Sequence, residues 1–259
     1  MDLELNSRAY IVSGGSKGLG LATAEALVRE GARVVLVARD QMRLDAVRDR
    51  LGSSAVCLAG DLGDPDLAAR AIDLSHETFG RLDGALVSVG GPPAGTVLST
   101  TDDQWTSAFG SVFLGGLRLM REVARATAVN DSAMPGRGSS IAVVLSVSAR
   151  QVLTGITASN GLRPGLAMLV ADLADEVGPM DVRVNGLLPG RLDTERVREL
   201  DAASGNADEH RRKLSEGIPL RRYGQAEEFA QVATFVLSPA SSYVTGTLIA
   251  VDGGSTRVP

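Results

Sequence analysis

The chain of 259 residues contains a single cysteine, Cys57, which excludes an internal disulfide and any multi-thiolate metal site. A lone thiol fits a reducing compartment, and its surroundings, "SSAVCLAG", mark it as a core residue. Aromatic residues make up only 3%, and the two histidines, His76 and His210, are expected to have surface roles. Positive charge is not in excess. The formal net charge is −5, which argues against nucleic acid or an anionic membrane as partner and leaves a small molecule as the expected one. No window reaches the ~18 apolar residues of a membrane helix. The opening "MDLELNSRAYIVSGG" lacks a basic segment before an apolar run, so a cytoplasmic location is expected. What is present is 44% hydrophobic content, enough for one sizeable core, and residues 1–259 are expected to form a single domain.

Short aliphatic runs alternate with longer segments of helical period. This is the pattern of βαβ units around a parallel sheet buried on both faces. Seven strands are expected at 9–14, 32–38, 54–59, 84–89, 140–147, 182–188 and 246–252, and helices at 19–30, 40–51, 64–80, 102–129, 159–177 and 225–238. Asp64-Pro65 and Thr101-Asp102 read as helix starts, the first with Pro at the first helical position. The polar stretch "DAASGNADEHRRKLSEG" (201–217) is expected to be a mobile helix-loop.

After the first strand comes "SGGSKGLG" (13–20), in which Gly14, Gly18 and Gly20 can turn strand into helix and admit a pyrophosphate to the backbone. The helix N-terminus then faces the phosphates. Arg39 ends the second strand and Lys17 lies in the turn, two cations that favour NADP(H) over NAD(H), while Asp40 reads as the start of the next helix. Asp61 in "GDL" is placed for the adenine edge.

These motifs, in this order and over essentially the whole chain, resemble the short-chain dehydrogenase/reductase family. "SGGSKGLG" resembles its cofactor loop (Gly14, Ser16, Lys17, Gly18, Leu19, Gly20), "GDL" its adenine contact (Asp61, Leu62) and "VSVGG" its Asn-Asn-Ala-Gly segment (Gly90). "LLPGRLDT" resembles the Pro-Gly turn and Thr beside the nicotinamide (Pro189, Gly190, Thr194), and residues 218–254 the C-terminal helix and last strand. The wording of "VGGPPAG" and "IPLRRYG" is similar to the branch of 3-oxoacyl-carrier-protein reductases. The resemblance implies a single-domain α/β Rossmann fold with a seven-stranded parallel sheet and a substrate lid around 191–217. It also implies a homotetramer or dimer built on helices 102–129 and 159–177.

The family's usual proton donor is a Tyr, followed four residues later by a Lys that binds the ribose and lowers the Tyr pKa. A Ser thirteen residues earlier positions the substrate oxygen, and an Asn on the preceding helix holds a relay water. By the same alignment this chain has Ser159 for the Tyr, Arg163 for the Lys, Ser146 for the Ser and Val112 for the Asn. Ser159 is a far weaker acid than a phenol. Arg163 keeps the charge and a fork of donors for the ribose, but stays protonated. The catalytic candidates are therefore Ser146, Ser159 and Arg163. Tyr10 and Tyr243 read as packing residues, Tyr223 as a possible visitor to the site mouth, and Arg150, Arg163 and Arg191 as cations that would suit an anionic substrate if they converge. Two functions follow. One is an NADP(H)-dependent oxidoreductase reducing a 3-oxoacyl or similar ketone, with water as proton source. The other is a dinucleotide-binding homologue that is catalytically impaired and serves a regulatory or structural role.

Overall fold

Strand β1 (Ala9–Ser13) is apolar at four successive positions because both its faces are covered. Ala9 and Ile11 point into one core, Tyr10 and Val12 into the other. The computed structural model describes residues 1–128, 137–202 and 205–257. From β1 the chain runs through α1 (Gly18–Arg29), β2 (Arg33–Ala38), α2 (Gln41–Leu51), β3 (Ala55–Ala59) and α3 (Leu67–Phe79). Then come β4 (Gly84–Ser88), α4 (Asp102–Ala108), α5 (Gly115–Thr127), β5 (Ser139–Val144) and α6 (Thr157–Val177). The last part holds β6 (Val182–Pro189), β7 (Leu192–Asp193), α7 (Glu195–Ala202), α8 (Ala207–Glu216), β8 (Gly224–Gln225), α9 (Ala226–Leu237) and β9 (Leu248–Val251).

Seven of these strands form one parallel sheet in the order β3-β2-β1-β4-β5-β6-β9, as expected from the seven aliphatic runs. Leu67 and Ala71 of α3, Leu119 and Val123 of α5, and Leu166 and Val170 of α6 cover one face. Leu27 of α1, Leu44 of α2 and Phe229 of α9 cover the other. Strand order reverses between β1 and β4, which opens a crevice at their carboxyl ends. β7 and β8 pair separately through two residues each. Among the described residues no helix is long and apolar enough to cross a membrane, and no group of three His, Cys, Asp or Glu is placed to hold a metal.

Several local expectations are corrected. The strand expected to reach 147 stops at Val144, and the chain turns through a 3-10 helix at Val147–Ala149. The third helix begins at Leu67 rather than 64: the Asp64 carboxylate accepts the Asp66 N–H at 3.0 Å, so Pro65 sits in a turn before the helix. Thr101 and Gln104 do form a capping box, but the expected helix 102–129 is interrupted by a π-helical turn over Phe109–Leu114. There the Gly115 N–H reaches back five residues to the Gly110 carbonyl, and a Cβ on Gly115 would lie 2.5 Å from the Leu62 carbonyl oxygen. Residue 129 lies outside the described residues, as do 203 and 204 of the expected lid. Cys57 is only half-buried, with its thiol donating to the Leu44 carbonyl at 3.3 Å.

Candidate active site

The floor of the crevice is built by close backbone contacts. Ser13 Oγ donates to the Ser88 carbonyl at 2.9 Å and accepts the Ser88 N–H at 2.8 Å, locking β1 to β4 where the order reverses. Gly14 has φ +63°, and a Cβ on it would press on the Ser88 carbonyl at 3.0 Å. A Cβ on Gly20 would lie 2.4 Å from the Gly14 carbonyl oxygen, so α1 starts tight against the strand end. Lys17 is extended at the N-cap and no side chain caps the helix. The first-turn N–H groups from Gly18, Leu19 and Gly20 are thereby left for an anion. Ser16 is half-buried in this turn, and Gly90, just past β4, is exposed.

On the far side of the crevice, Pro189 ends β6, and Gly190 packs so closely on Asp252 that a Cβ would lie 2.6 Å from the Asp252 Cβ. Thr194 borders the glycine turn, 3.8 Å from where a Gly18 Cβ would be, and its hydroxyl accepts the Val197 N–H at 3.4 Å. The cradle thus fits a dinucleotide: glycines where a Cβ would fill the space, and a helix N-terminus without a cap.

The cations are distributed differently from the sequence reading. Arg39 is exposed and 3.7 Å from Asp61, whose other oxygen accepts the Gly63 N–H at 2.7 Å. Leu62 carries its carbonyl toward Gly115. Lys17 instead pairs with Glu195 at 2.9 Å, and Arg43 grips the same carboxylate at 3.0 and 3.4 Å. Arg43 first, and Lys17 second, hold the Glu195 carboxyl down at about 2. Asp40 caps α2 as expected, accepting the Arg43 N–H at 3.1 Å. Arg43 and Glu195 were missed from the sequence; the available signal was that Arg43 lies one helical turn beyond Asp40.

The hydroxyl group of residues forms where β5 ends. Ser146 is extended, with φ −170°, and its Oγ accepts the Ser148 N–H at 3.0 Å. Ser148 Oγ lies 2.9 Å from Ser159 Oγ, and both side chains are buried. Ser148 was not singled out in the sequence, although "SVS" places it two residues past Ser146. Asn160 fixes the approach: its amide exchanges two hydrogen bonds with the Leu153 backbone, at 3.1 and 2.8 Å, tying the preceding loop to the first turn of α6.

One turn on, Arg163 is 4% exposed and donates Nη1 to the Val144 carbonyl at 2.6 Å. Its Nε is buried without a hydrogen-bond partner. Burial alone pulls this guanidinium down to about 10, so it remains charged at neutral pH. Val112, inside the π-helical turn, is 3% exposed and packs in the core. It carries no polar group into the site.

The other candidates point elsewhere. The Tyr10 hydroxyl donates to the Leu237 carbonyl at 3.1 Å, as a packing residue should. Tyr223 is buried and donates to Asp201 of α7 at 3.2 Å, so it is tied to that helix rather than visiting the site mouth. Tyr243, read as packing, is fully exposed. His210 lies 3.6 Å from Asp201. Arg150 donates to the Leu248 carbonyl at 3.3 Å and Arg191 lies 3.7 Å from Asp201, so the three arginines turn to three different partners.

Residues 14–256 match the family described as enoyl-(acyl carrier protein) reductase. An uncharacterized oxidoreductase of Mycobacterium tuberculosis is 32% identical over 260 residues, covering 97% of this chain and 93% of the relative. Among solved structures, the NADPH-bound short chain oxidoreductase of Pseudomonas aeruginosa PAO1, described as containing an atypical catalytic center, superposes with a TM-score of 0.87 at 30% identity. That alignment covers 98% of this chain and 99% of the other. L-sorbose reductase from Gluconobacter frateurii, complexed with NADPH and L-sorbose, gives a TM-score of 0.91 at 25% identity with both chains covered in full.

Proposed function

The chain belongs to the short-chain dehydrogenase/reductase family, and on that premise we propose that it is an NADP(H)-dependent reductase of a 3-oxoacyl or similar ketone. The glycine cradle, the uncapped α1 and the cations Lys17 and Arg43 support a dinucleotide with a 2′-phosphate, NADP(H) rather than NAD(H). NADPH in the Pseudomonas and Gluconobacter relatives supports the same preference. A nicotinamide bound in the crevice would supply the hydride. The orphaned Nε of buried Arg163 suits a ribose hydroxyl, and its fixed charge would stabilise negative charge that grows beside it. Leu19, Gly90, Pro189, Gly190 and Thr194 would complete the cofactor's surroundings, with Asp61 and Leu62 at its adenine end and Arg39 beside them.

The observation that carries the catalytic reading is the 2.9 Å contact between Ser148 Oγ and Ser159 Oγ. Ser146 and Ser159 hydroxyls orient the substrate oxygen. A serine is too weak an acid to release a proton by itself, but two hydroxyls in contact can pass one. Ser159 Oγ gives its proton to the oxygen that gains charge and takes the Ser148 proton, and water restores Ser148. Val112 leaves no second path through the α4–α5 side.

Residues 191–217 act as the lid, and the molecule is proposed to be one domain that assembles as a dimer or homotetramer through α5 and α6, near exposed Phe109 and Met168. A second reading, dinucleotide binding without turnover, is favoured by the burial of Ser159, 6% exposed, and by the absence of a phenol among its partners. Purified protein is mixed with NADPH and a panel of ketones, aldehydes and 3-oxoacyl thioesters. Oxidation of NADPH above background supports the reductase. Tight binding with no oxidation across the panel selects the second reading.

A further inference from the structure

Glu195 opens α7 and reaches back across the crevice. Its carboxylate meets Lys17 of the glycine turn at 2.9 Å and both terminal nitrogens of Arg43, in the first turn of α2, at 3.0 and 3.4 Å. Three elements distant in sequence therefore converge on one negative charge beside the uncapped start of α1. Stability does not account for this arrangement. The side chains of Lys17, Arg43 and Glu195 are 49%, 48% and 45% exposed, and ion pairs so open to solvent contribute little. Arg43 also has Asp40 at 3.4 Å on its own helix. What the geometry does provide is two cations arranged around an acceptor with two oxygens, next to a helix N-terminus. That is a phosphate site filled by a carboxylate.

We propose that Glu195 holds the place of the cofactor's 2′-phosphate: it occupies the Lys17–Arg43 pair in the free chain, and an NADP-type dinucleotide binds by taking that pair from it. The inference rests on the dinucleotide reading of the glycine turn. A phosphate monoester carries about −1.5 to −2 charges and three acceptor oxygens, against one charge and two oxygens for the carboxylate. The exchange therefore favours the phosphate, and mutual repulsion prevents both from staying. An NAD-type dinucleotide offers a neutral hydroxyl and leaves Glu195 in place. Glu195 is in this way a specificity-determining residue. Because it begins α7, its release also unties the first turn of the lid.

Calorimetric titration of the whole chain with NADPH, NADH and adenosine 2′-monophosphate tests the proposal without any turnover. Glu195→Gln should bind NADPH and adenosine 2′-monophosphate about tenfold more tightly and change NADH by less than about twofold. Arg43→Gln should weaken NADPH about tenfold and leave NADH nearly unchanged. In the double variant, the gain from Glu195→Gln should shrink because the pair it vacates is incomplete. Equal gains for NADPH and NADH, or no gain for either, overturn the proposal while leaving the dinucleotide reading intact. If neither the wild type nor any variant binds a dinucleotide, the dinucleotide reading falls and this proposal falls with it.

Discussion

Ser148 Oγ and Ser159 Oγ lie 2.9 Å apart, with the Ser148 N–H donated to Ser146 Oγ, so one residue connects both hydroxyls proposed for catalysis. The family resemblance implies a Tyr at the place of Ser159, whose phenol would store a proton and give it up near neutrality once a Lys lowers its pKa. A serine pair cannot store one that way, but it can relay. If the relay operates, Ser148→Ala should lower kcat about tenfold to a hundredfold with little change in KM, because the variant removes proton supply and not substrate contact. Steady-state kinetics with the best substrate of the panel provide the comparison, and a matching rise in KM at constant kcat would assign Ser148 to binding.

Arg163 is expected to trade stability for function. A buried cation with no carboxylate beside it among the described residues is costly, and burial draws its pKa down to about 10. Arg163→Met removes the charge along with the hydrogen bond to the Val144 carbonyl. The thermal midpoint should stay level or rise, while NADPH affinity falls about tenfold or more through loss of a charge-assisted contact. A large fall in the midpoint would show that Arg163 is a structural cation instead.

Legibility in the sequence divided along physical lines. Continuous aliphatic runs announced a sheet buried on both faces, and the spacing of Gly14, Gly18 and Gly20 announced the turn, because each follows from local pattern. The end of β5 was hidden: Leu145 and Val147 stay apolar through the turn, and only the Ser146 hydroxyl capping the Ser148 N–H ends the strand. The π-helical turn was hidden as well, since Val112 and Phe113 within it fit the apolar spacing of an ordinary helix. Arg43 and Glu195 are 152 positions apart, and no local pattern relates them. Tyr243 shows the opposite failure, an aromatic residue whose composition suggested packing and whose position is open to solvent.

Placing at Val112 the Asn that the family resemblance implies should not create a water relay. Val112 is 3% exposed among apolar neighbours, so an amide there gives up its contacts with water. Val112→Asn should destabilise by about 1–3 kcal/mol. A differential scan should show the midpoint lowered by several degrees, with turnover unimproved. Higher turnover at unchanged stability would mean that the π-helical turn admits water.

The α7–α8 segment, proposed as a lid, should be sensitive to acid through Asp193. Its carboxylate accepts from Arg198 at 2.8 Å and Arg211 at 3.2 Å, and those contacts hold it at about 2. A carboxyl depressed on folding contributes stability in full above its ordinary value of about 3.9, and that contribution is lost as pH falls toward the lowered one. The tether of α7 to α8 is therefore complete at neutral pH and weakens only below about pH 4. Asp193→Asn should reproduce the acid-loosened α7–α8 contact at pH 7. Amide exchange across Ala207–Glu216 should be faster in the variant, and protection equal to wild type would rule out the tether.

Ser159 is proposed to deliver the proton while the rest of the cradle binds cofactor independently of it. Single-turnover oxidation of bound NADPH by Ser159→Ala, compared with the wild type on the same substrate, measures that step directly. The account predicts a rate lower by about 10² to 10⁴ with NADPH affinity unchanged. A rate equal to the wild type would contradict it and move the proton donor away from the Ser148–Ser159 pair.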